Sequence, residues 1–235
     1  MLLKVENIHT YYGSSHVLQG VSLEVDDHEI VTLVGRNGAG KSTTLKSIIG
    51  IAPIRLGHIA LQGEDISTRP THLIIQRGIA YVPEERRIIP GLSVRENIKL
   101  ALLKSKNLHR EAEMIDRVAH YFPVLKDRLN QEGTSLSGGE QQMLAIARGL
   151  VIDPKIMLID EPTEGLMPLF VELIAEIIQN INQTGVAVLL VEQNVEMALT
   201  ISHRAYILDE GRIQSSGKAK EILADQEIQR RYLAI

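Results

Sequence analysis

Apolar positions along the chain follow two periodicities, and the change from one to the other sorts it into elements. Near the start "LLKVENI" alternates in part and "VLQGVSLEV" alternates better, while "EIVTLV" closes in an apolar run against Gly35. A period of two predicts half-buried strands, and an unbroken apolar run predicts a fully buried one. From Lys41 to Ile49, "KSTTLKSII" places apolar or small residues at helical spacing, and Gly50 can close that helix. "GHIALQG" and "GIAYVP" predict short glycine-bounded strands with a brief helix, "THLIIQRG", between them. Over residues 92–152 only helical patterns occur, with Pro123 and Gly133 as breaks, which predicts an inserted helical subdomain. Beyond it "KIMLID", "GVAVLLV" and "RAYILD" predict buried strands, separated by helices at "LFVELIAEIIQNI" and "NVEMALTIS". The polar end, "ADQEIQRRYLAI", predicts a terminal helix. Strands alternating with helices imply an α/β fold with a mainly parallel sheet covered on both faces. No internal repeat, low-complexity tract or linker interrupts the pattern, so residues 1–235 are expected to form a single domain with subdomains.

Composition narrows the function classes. A compact fold of 235 residues hides roughly 70–75% of its unfolded surface, enough for a full core. With aromatics at 3% and no Trp, that core must be aliphatic. A net charge of −4 lacks the basic footprint that holds nucleic acid or anionic lipid, so no nucleic-acid partner is expected. The absence of cysteine excludes disulfides, thiolate metal sites and thiol nucleophiles. The start, "MLLKVENIHT", has no apolar leader, and no window approaches about 18 uninterrupted apolar residues. The chain is therefore read as neither exported nor membrane-spanning by its own sequence.

Two stretches carry recognisable phosphate chemistry. "GRNGAGKST" (Gly35, Arg36, Asn37, Gly38, Ala39, Gly40, Lys41, Ser42, Thr43) fits G-x-x-x-x-G-K-[ST] between a predicted strand and a predicted helix. Glycines let the loop N–H groups turn towards phosphate oxygens, and the new helix points its positive dipole end at the same anion. Lys41 is expected to reach the β- and γ-phosphates of ATP, and Ser42 to ligate Mg²⁺. The second stretch, "KIMLIDEP", delivers Asp160 and Glu161 at the end of a predicted buried strand. Ligands of open α/β sheets bind at that edge. Asp160, hard to bury without a cation, suits Mg²⁺. Glu161 is expected to orient the water that attacks the γ-phosphate.

A third stretch, "LSGGEQQ" at residues 136–142, starts an apolar helix with a hydroxyl and two glycines, so Ser137, Gly138 and Gly139 offer another anion site. It resembles the signature motif of ABC ATPases, and the resemblance covers essentially the whole chain in the family's order. "YYGSSHVL" looks like the aromatic loop, followed by the phosphate loop, "YVPE", the signature, the "KIMLIDEP" strand and the switch. The resemblance implies a P-loop NTPase fold with an N-terminal antiparallel β subdomain and the inserted helical subdomain. It also implies hydrolysis of ATP with Mg²⁺ and head-to-tail packing of two nucleotide-binding domains. The second domain would be an identical copy in isolation or a paralogue in a transporter, and Ser137 to Gly139 would cover its ATP. Transmembrane permease subunits would hold the chain at the inner face of the membrane, on the cytoplasmic side. Tyr12, with Val17 beneath it, matches the adenine-stacking aromatic, and Tyr11 is the rival.

A narrower resemblance, to the ATP-binding subunits of branched-chain amino-acid importers, rests on "VPEERRIIPGLSVRENI", "LSGGEQQMLAIARGL", "DEPTEGLMP" and "LLVEQN". Amide, urea and lipopolysaccharide transporters are the runners-up, and a non-transport ABC ATPase acting on ribosomes or DNA is the alternative outside transport. Against the wider family, Glu84 replaces the Gln that links Mg²⁺ to the permease, Gln193 replaces the switch His, and Met167 stands where an Asp is usual. Glu84 could ligate Mg²⁺ directly. Gln193 can donate to a γ-phosphate but cannot titrate near neutrality. His58 and His203 are expected to be surface or packing residues. Arg86, Arg87, Ile88 and Ile89 would line the wall of a groove for the permease.

Overall fold

A computed structural model describes residues 1–103, 111–228 and 230. Its strands are β1 (Leu3–Tyr12), β2 (Ser15–Val25), β3 (Ile30–Val34), β4 (Ile54–Leu61), β5 (Glu64–Asp65), β6 (Ile79–Val82), β7 (Ile156–Asp160), β8 (Ala187–Glu192), β9 (Arg204–Asp209) and β10 (Arg212–Lys218). Between them run helices α1 (Lys41–Ile48), α2 (Thr71–Ile75), α3 (Val94–Leu102), α4 (Glu111–Tyr121), α5 (Pro123–Asp127), α6 (Gly138–Leu150), α7 (Pro168–Gln183) and α8 (Val195–Ile201), with α9 (Ala219–Ala224) and α10 (Gln226–Ile228) at the end.

The strands form two sheets, a four-stranded antiparallel one ordered β2-β1-β4-β5 and a six-stranded one ordered β10-β9-β3-β8-β7-β6. In the larger sheet β9, β3, β8, β7 and β6 are parallel, and β10 folds back antiparallel on β9. Because parallel strands are buried on both faces, their alternating side chains feed two separate cores. Met157, Ile159, Val188 and Leu190 pack among the helices, with Ile98, Phe122, Leu144 and Ile178. Ile156, Leu158, Leu189 and Val191 face the other way, onto Leu45 and Ile48 of α1 and the inner face of the antiparallel sheet. Helix α1 is thus sandwiched between the sheets, which fixes the loop that precedes it.

Local chemistry explains several helix starts. Ser93 and Glu96 form a reciprocal cap on α3, Ser137 and Glu140 another on α6, and α7 begins with Pro168 in its first turn. Three features depart from the sequence expectation. The strand predicted to begin at Gly57 starts at Ile54 and runs through the glycine, whose φ is +95°. A Cβ at Gly57 would lie 2.4 Å from the Asn7 carbonyl oxygen, so this glycine marks a bulge against β1 rather than a strand end. Strand β10 and helix α9 were not predicted, because "RIQSSGK" alternates half-buried with exposed positions and has one large apolar residue to signal a strand. Of the predicted terminal helix only Gln226–Ile228 is seen as α10, and residues 229 and 231–235 lie outside the described residues.

Candidate nucleotide site

Parallel strands bring their C-terminal ends to one edge, so the loops after β3, β6, β7 and β8 meet there. The loop after β3 turns through Gly38 and Gly40 at φ of +80° and +110°, left-handed conformations that a side chain would strain. A Cβ on Gly40 would also come within 2.8 Å of Leu18. Gly40 precedes α1 with no side-chain cap, and the first turn carries no acidic residue, leaving the positive helix end open to an anion. The β9–β10 turn braces this loop: Gly211 donates its N–H to the Ala39 carbonyl at 2.9 Å and accepts from Gln19 N–H of β2 at 2.8 Å.

Lys41 is 4% exposed. A buried ammonium needs partners, and its Nζ donates to the carbonyls of Gly35 at 2.9 Å and Arg36 at 3.3 Å and pairs with Glu161 Oε1 at 3.3 Å. One step along α1, the Ser42 hydroxyl donates to Asp160 Oδ1 at 2.9 Å, and Tyr81 from β6 donates to Oδ2 at 3.0 Å. Burial pushes the Asp160 carboxyl up, and these two hydrogen bonds oppose that rise. Burial, then the Asp160 charge, drives the Tyr81 phenol far above its ordinary range, so it remains a donor.

Glu161 sits at φ +45° just beyond β7, with its N–H donated to the Val191 carbonyl at 2.8 Å. That left-handed turn aims its side chain back at the site, where the Gln193 amide donates to Oε2. Glu84 is not hydrogen-bonded to Ser42 or Asp160. Its carboxyl lies within 4.8 Å of oxygens of both Glu161 and Glu164. The close Glu164 carboxyl, then desolvation and the charges of Glu161 and Asp160, raise Glu84 to about 7. Glu161, Glu84 and Glu164, with Asp160 next in the chain and Lys41 paired to Glu161, make an oxygen-rich, negative cluster of the kind that suits a hard divalent cation.

Tyr11 and Tyr12 point to opposite faces of β1. Tyr11 stacks on His16 at 4.1 Å and lies under the Arg55 guanidinium at 4.3 Å, whereas Tyr12 is 52% exposed beside the tight Gly13–Ser14 turn. Val17 is half-buried against the core next to the loop. Both histidines are at the surface: His203 is exposed and accepts the Ile30 N–H at 3.0 Å, and His58 is exposed near Asp65.

Ser137, Gly138 and Gly139 lie elsewhere. Ser137 caps α6, exchanging hydrogen bonds with Glu140 at 2.9 and 3.4 Å, while Arg128 pairs with Glu140 at 3.1 Å. Among the described residues no hydrogen bond or ion pair joins this trio to Lys41, Ser42 or Glu161. Gly139 packs under the Phe170 ring of α7, where a Cβ would fall 2.3 Å from ring carbon. Gly139→Ala should therefore push the ring off α6 and cost about 1–3 kcal/mol, read as a lower urea midpoint at unchanged slope. An unaltered midpoint would show that α6 and α7 slide apart freely.

Sequence reasoning missed Tyr81, Thr163, Glu164 and Glu192. Tyr81 reaches Asp160 because β6 pairs with β7, a neighbour relation no local pattern encodes. Glu192 had a signal, since "AVLLVE" ends an apolar run in a carboxylate as "IMLID" does.

The sheet order and the loop–lysine–aspartate constellation define a P-loop NTPase. A family model described as ABC transporter matches residues 18–164. Across 99% of both chains the sequence is 41% identical to the high-affinity branched-chain amino acid transport ATP-binding protein BraG of Pseudomonas aeruginosa. It is 39% identical to the lipopolysaccharide export system ATP-binding protein LptB of Haemophilus influenzae, over 99% of this chain and 97% of that one. A dimeric structure of a post-hydrolysis state of an ATP-binding cassette, bound to ADP and Pi, superposes with a TM-score of 0.80 at 26% identity, over 93% of this chain and 99% of that one. The chain belongs to the ABC transporter family, as an ATP-binding subunit that hydrolyses ATP to power transport.

Proposed function

We propose that this chain drives import of branched-chain or related amino acids, working as a pair of nucleotide-binding domains beneath permease subunits on the inner face of the membrane. The observation that carries the solute class is the end-to-end similarity to BraG. Among the described residues no helix is long and apolar enough to cross a membrane, so attachment would be through the permease. The residues 35–43 would wrap the phosphates of ATP, with Tyr12 against adenine and Val17 below it. Ser42 and Asp160 would hold Mg²⁺, with Glu84 as a further carboxylate beside Glu161, and the ion would neutralise charge on the β- and γ-phosphates. Glu161 would orient the attacking water, Gln193 would hold both Glu161 and the γ-phosphate, and Ser137 to Gly139 would close over the ATP of the second domain.

Lipopolysaccharide export is the second reading, favoured by the similarity to LptB. Solute contacts would lie on other subunits, so a tagged chain should be captured from native membranes and its permease partners identified. Amino-acid permease subunits, with loss of radiolabelled leucine uptake on deletion of the gene, are the expected result. Capture of lipopolysaccharide-export membrane subunits, with uptake intact, would replace this reading by the second.

A further inference from the structure

Glu192, the last residue of β8, is 1% exposed, yet among the described residues it forms no ion pair with Lys, Arg or His. A buried carboxylate without a cation is costly, so its hydrogen bonds must offset desolvation. They do so in two pairs. Oε1 accepts from the Thr163 N–H at 2.9 Å and the Thr163 hydroxyl at 2.7 Å, and Oε2 accepts the N–H groups of Gln193 at 3.0 Å and Asn194 at 3.2 Å. Thr163 lies two residues beyond Glu161 in the loop after β7, and Gln193 opens the loop after β8. One carboxylate thus ties together the two loops whose side chains meet in the Gln193–Glu161 hydrogen bond.

Neither loop holds its geometry for free. Glu161 occupies a left-handed φ of +45°, which a non-glycine residue keeps only when its surroundings over-determine it. The Val191 carbonyl anchors the near side of that turn through the Glu161 N–H, and Glu192 anchors the far side through Thr163. We propose that Glu192 is a positioning residue for hydrolysis, stapling the loop after β7 to the loop after β8 so that Glu161 and Gln193 face the γ-phosphate as a preset pair. The proposal rests on the roles given above to Glu161 and Gln193, and it adds the device that aligns them.

An amide cannot replace this carboxylate. In Glu192→Gln one oxygen becomes an NH₂ donor, which must face either the Gln193 and Asn194 N–H groups or the Thr163 N–H, so at least one backbone donor loses its acceptor. The loops should then separate while the phosphate loop, on β3 and α1, is untouched. Glu192→Gln in the full-length chain is expected to lower single-turnover hydrolysis by about tenfold or more, with MgATP affinity within about twofold of the parent. Thr163→Val, which removes one donor and keeps the side-chain shape, should lose less, and Thr163→Ser should retain the parental rate. The decisive comparison is Glu161→Gln with and without Glu192→Gln: where the water-orienting carboxylate is already gone, the second substitution should slow hydrolysis no further, whereas a merely structural defect would add its own loss. Parental hydrolysis in Glu192→Gln, or full additivity with Glu161→Gln, would overturn the staple. If Glu161→Gln itself hydrolyses at the parental rate, the role given to Glu161 fails instead. Should Glu192→Gln not fold, the Thr163 pair decides: equal rates for Val and Ser overturn the proposal.

Discussion

Glu161→Gln is expected to slow ATP hydrolysis by about 10²–10⁴-fold while ATP stays bound, because the amide keeps the side chain's shape and removes the charge that, in the proposed role, would orient water. The geometry predicts retained affinity for a second reason. Lys41 Nζ lies 3.3 Å from Glu161 Oε1, so the carboxylate competes with phosphate for the lysine, and neutralising it releases Lys41 to the nucleotide. Trapped ATP would then hold two chains together, since each γ-phosphate would be gripped by Lys41 of one and by Ser137 with the Gly138 and Gly139 amides of the other. The variant should dimerise with ATP and not with ADP in light scattering. Adding Ser137→Arg places a bulky side chain at the exposed cap of α6, which makes no contact with its own chain's Lys41 group. The double variant should bind MgATP as a monomer. If it still dimerises, the α6 end does not cover a neighbour's nucleotide, and if it loses ATP, that end belongs to its own chain's pocket.

Lys41→Ala is expected to abolish turnover and to weaken MgATP binding by at least about 100-fold, because the proposed charge-assisted contact to phosphate would be lost. It should also destabilise the nucleotide-free protein. Lys41 and Glu161 are both buried, so removing the lysine leaves the carboxylate with the Gln193 amide but without its cation, at a cost of about 3–5 kcal/mol. Adding Glu161→Gln removes that stranded charge, and the double variant should regain stability without regaining ATP. Calorimetry with unchanged affinity in Lys41→Ala would contradict the place given to the lysine, and a double variant no more stable than the single would contradict the buried pair.

Much of this was local and therefore legible. The apolar runs of β3, β7 and β8, the glycine loop before Lys41, the capped start of α6 and the carboxylates closing "KIMLID" all depend on neighbours a few residues away. Periodicity predicts an element because one face must be buried whatever covers it. The order of strands and the partners of each carboxylate were not local. Tyr81 meets Asp160 only because β6 lies beside β7, and Glu192 can join Thr163 to Gln193 only because β7 and β8 are neighbours with their ends aligned. Tyr11 and Tyr12 look alike in sequence, and the strand's alternation gives one to His16 and Arg55 and leaves the other exposed. Glu84 was expected at the metal with Ser42 and Asp160, and the fold sets it against Glu161 and Glu164. Local pattern sufficed for most of the strands and helices, though not for β10 or α9, and for naming the residues expected to hold phosphate. The tertiary structure decided which of those residues touch, because a buried charge takes its partner from whichever strand the packing of two cores places next to it.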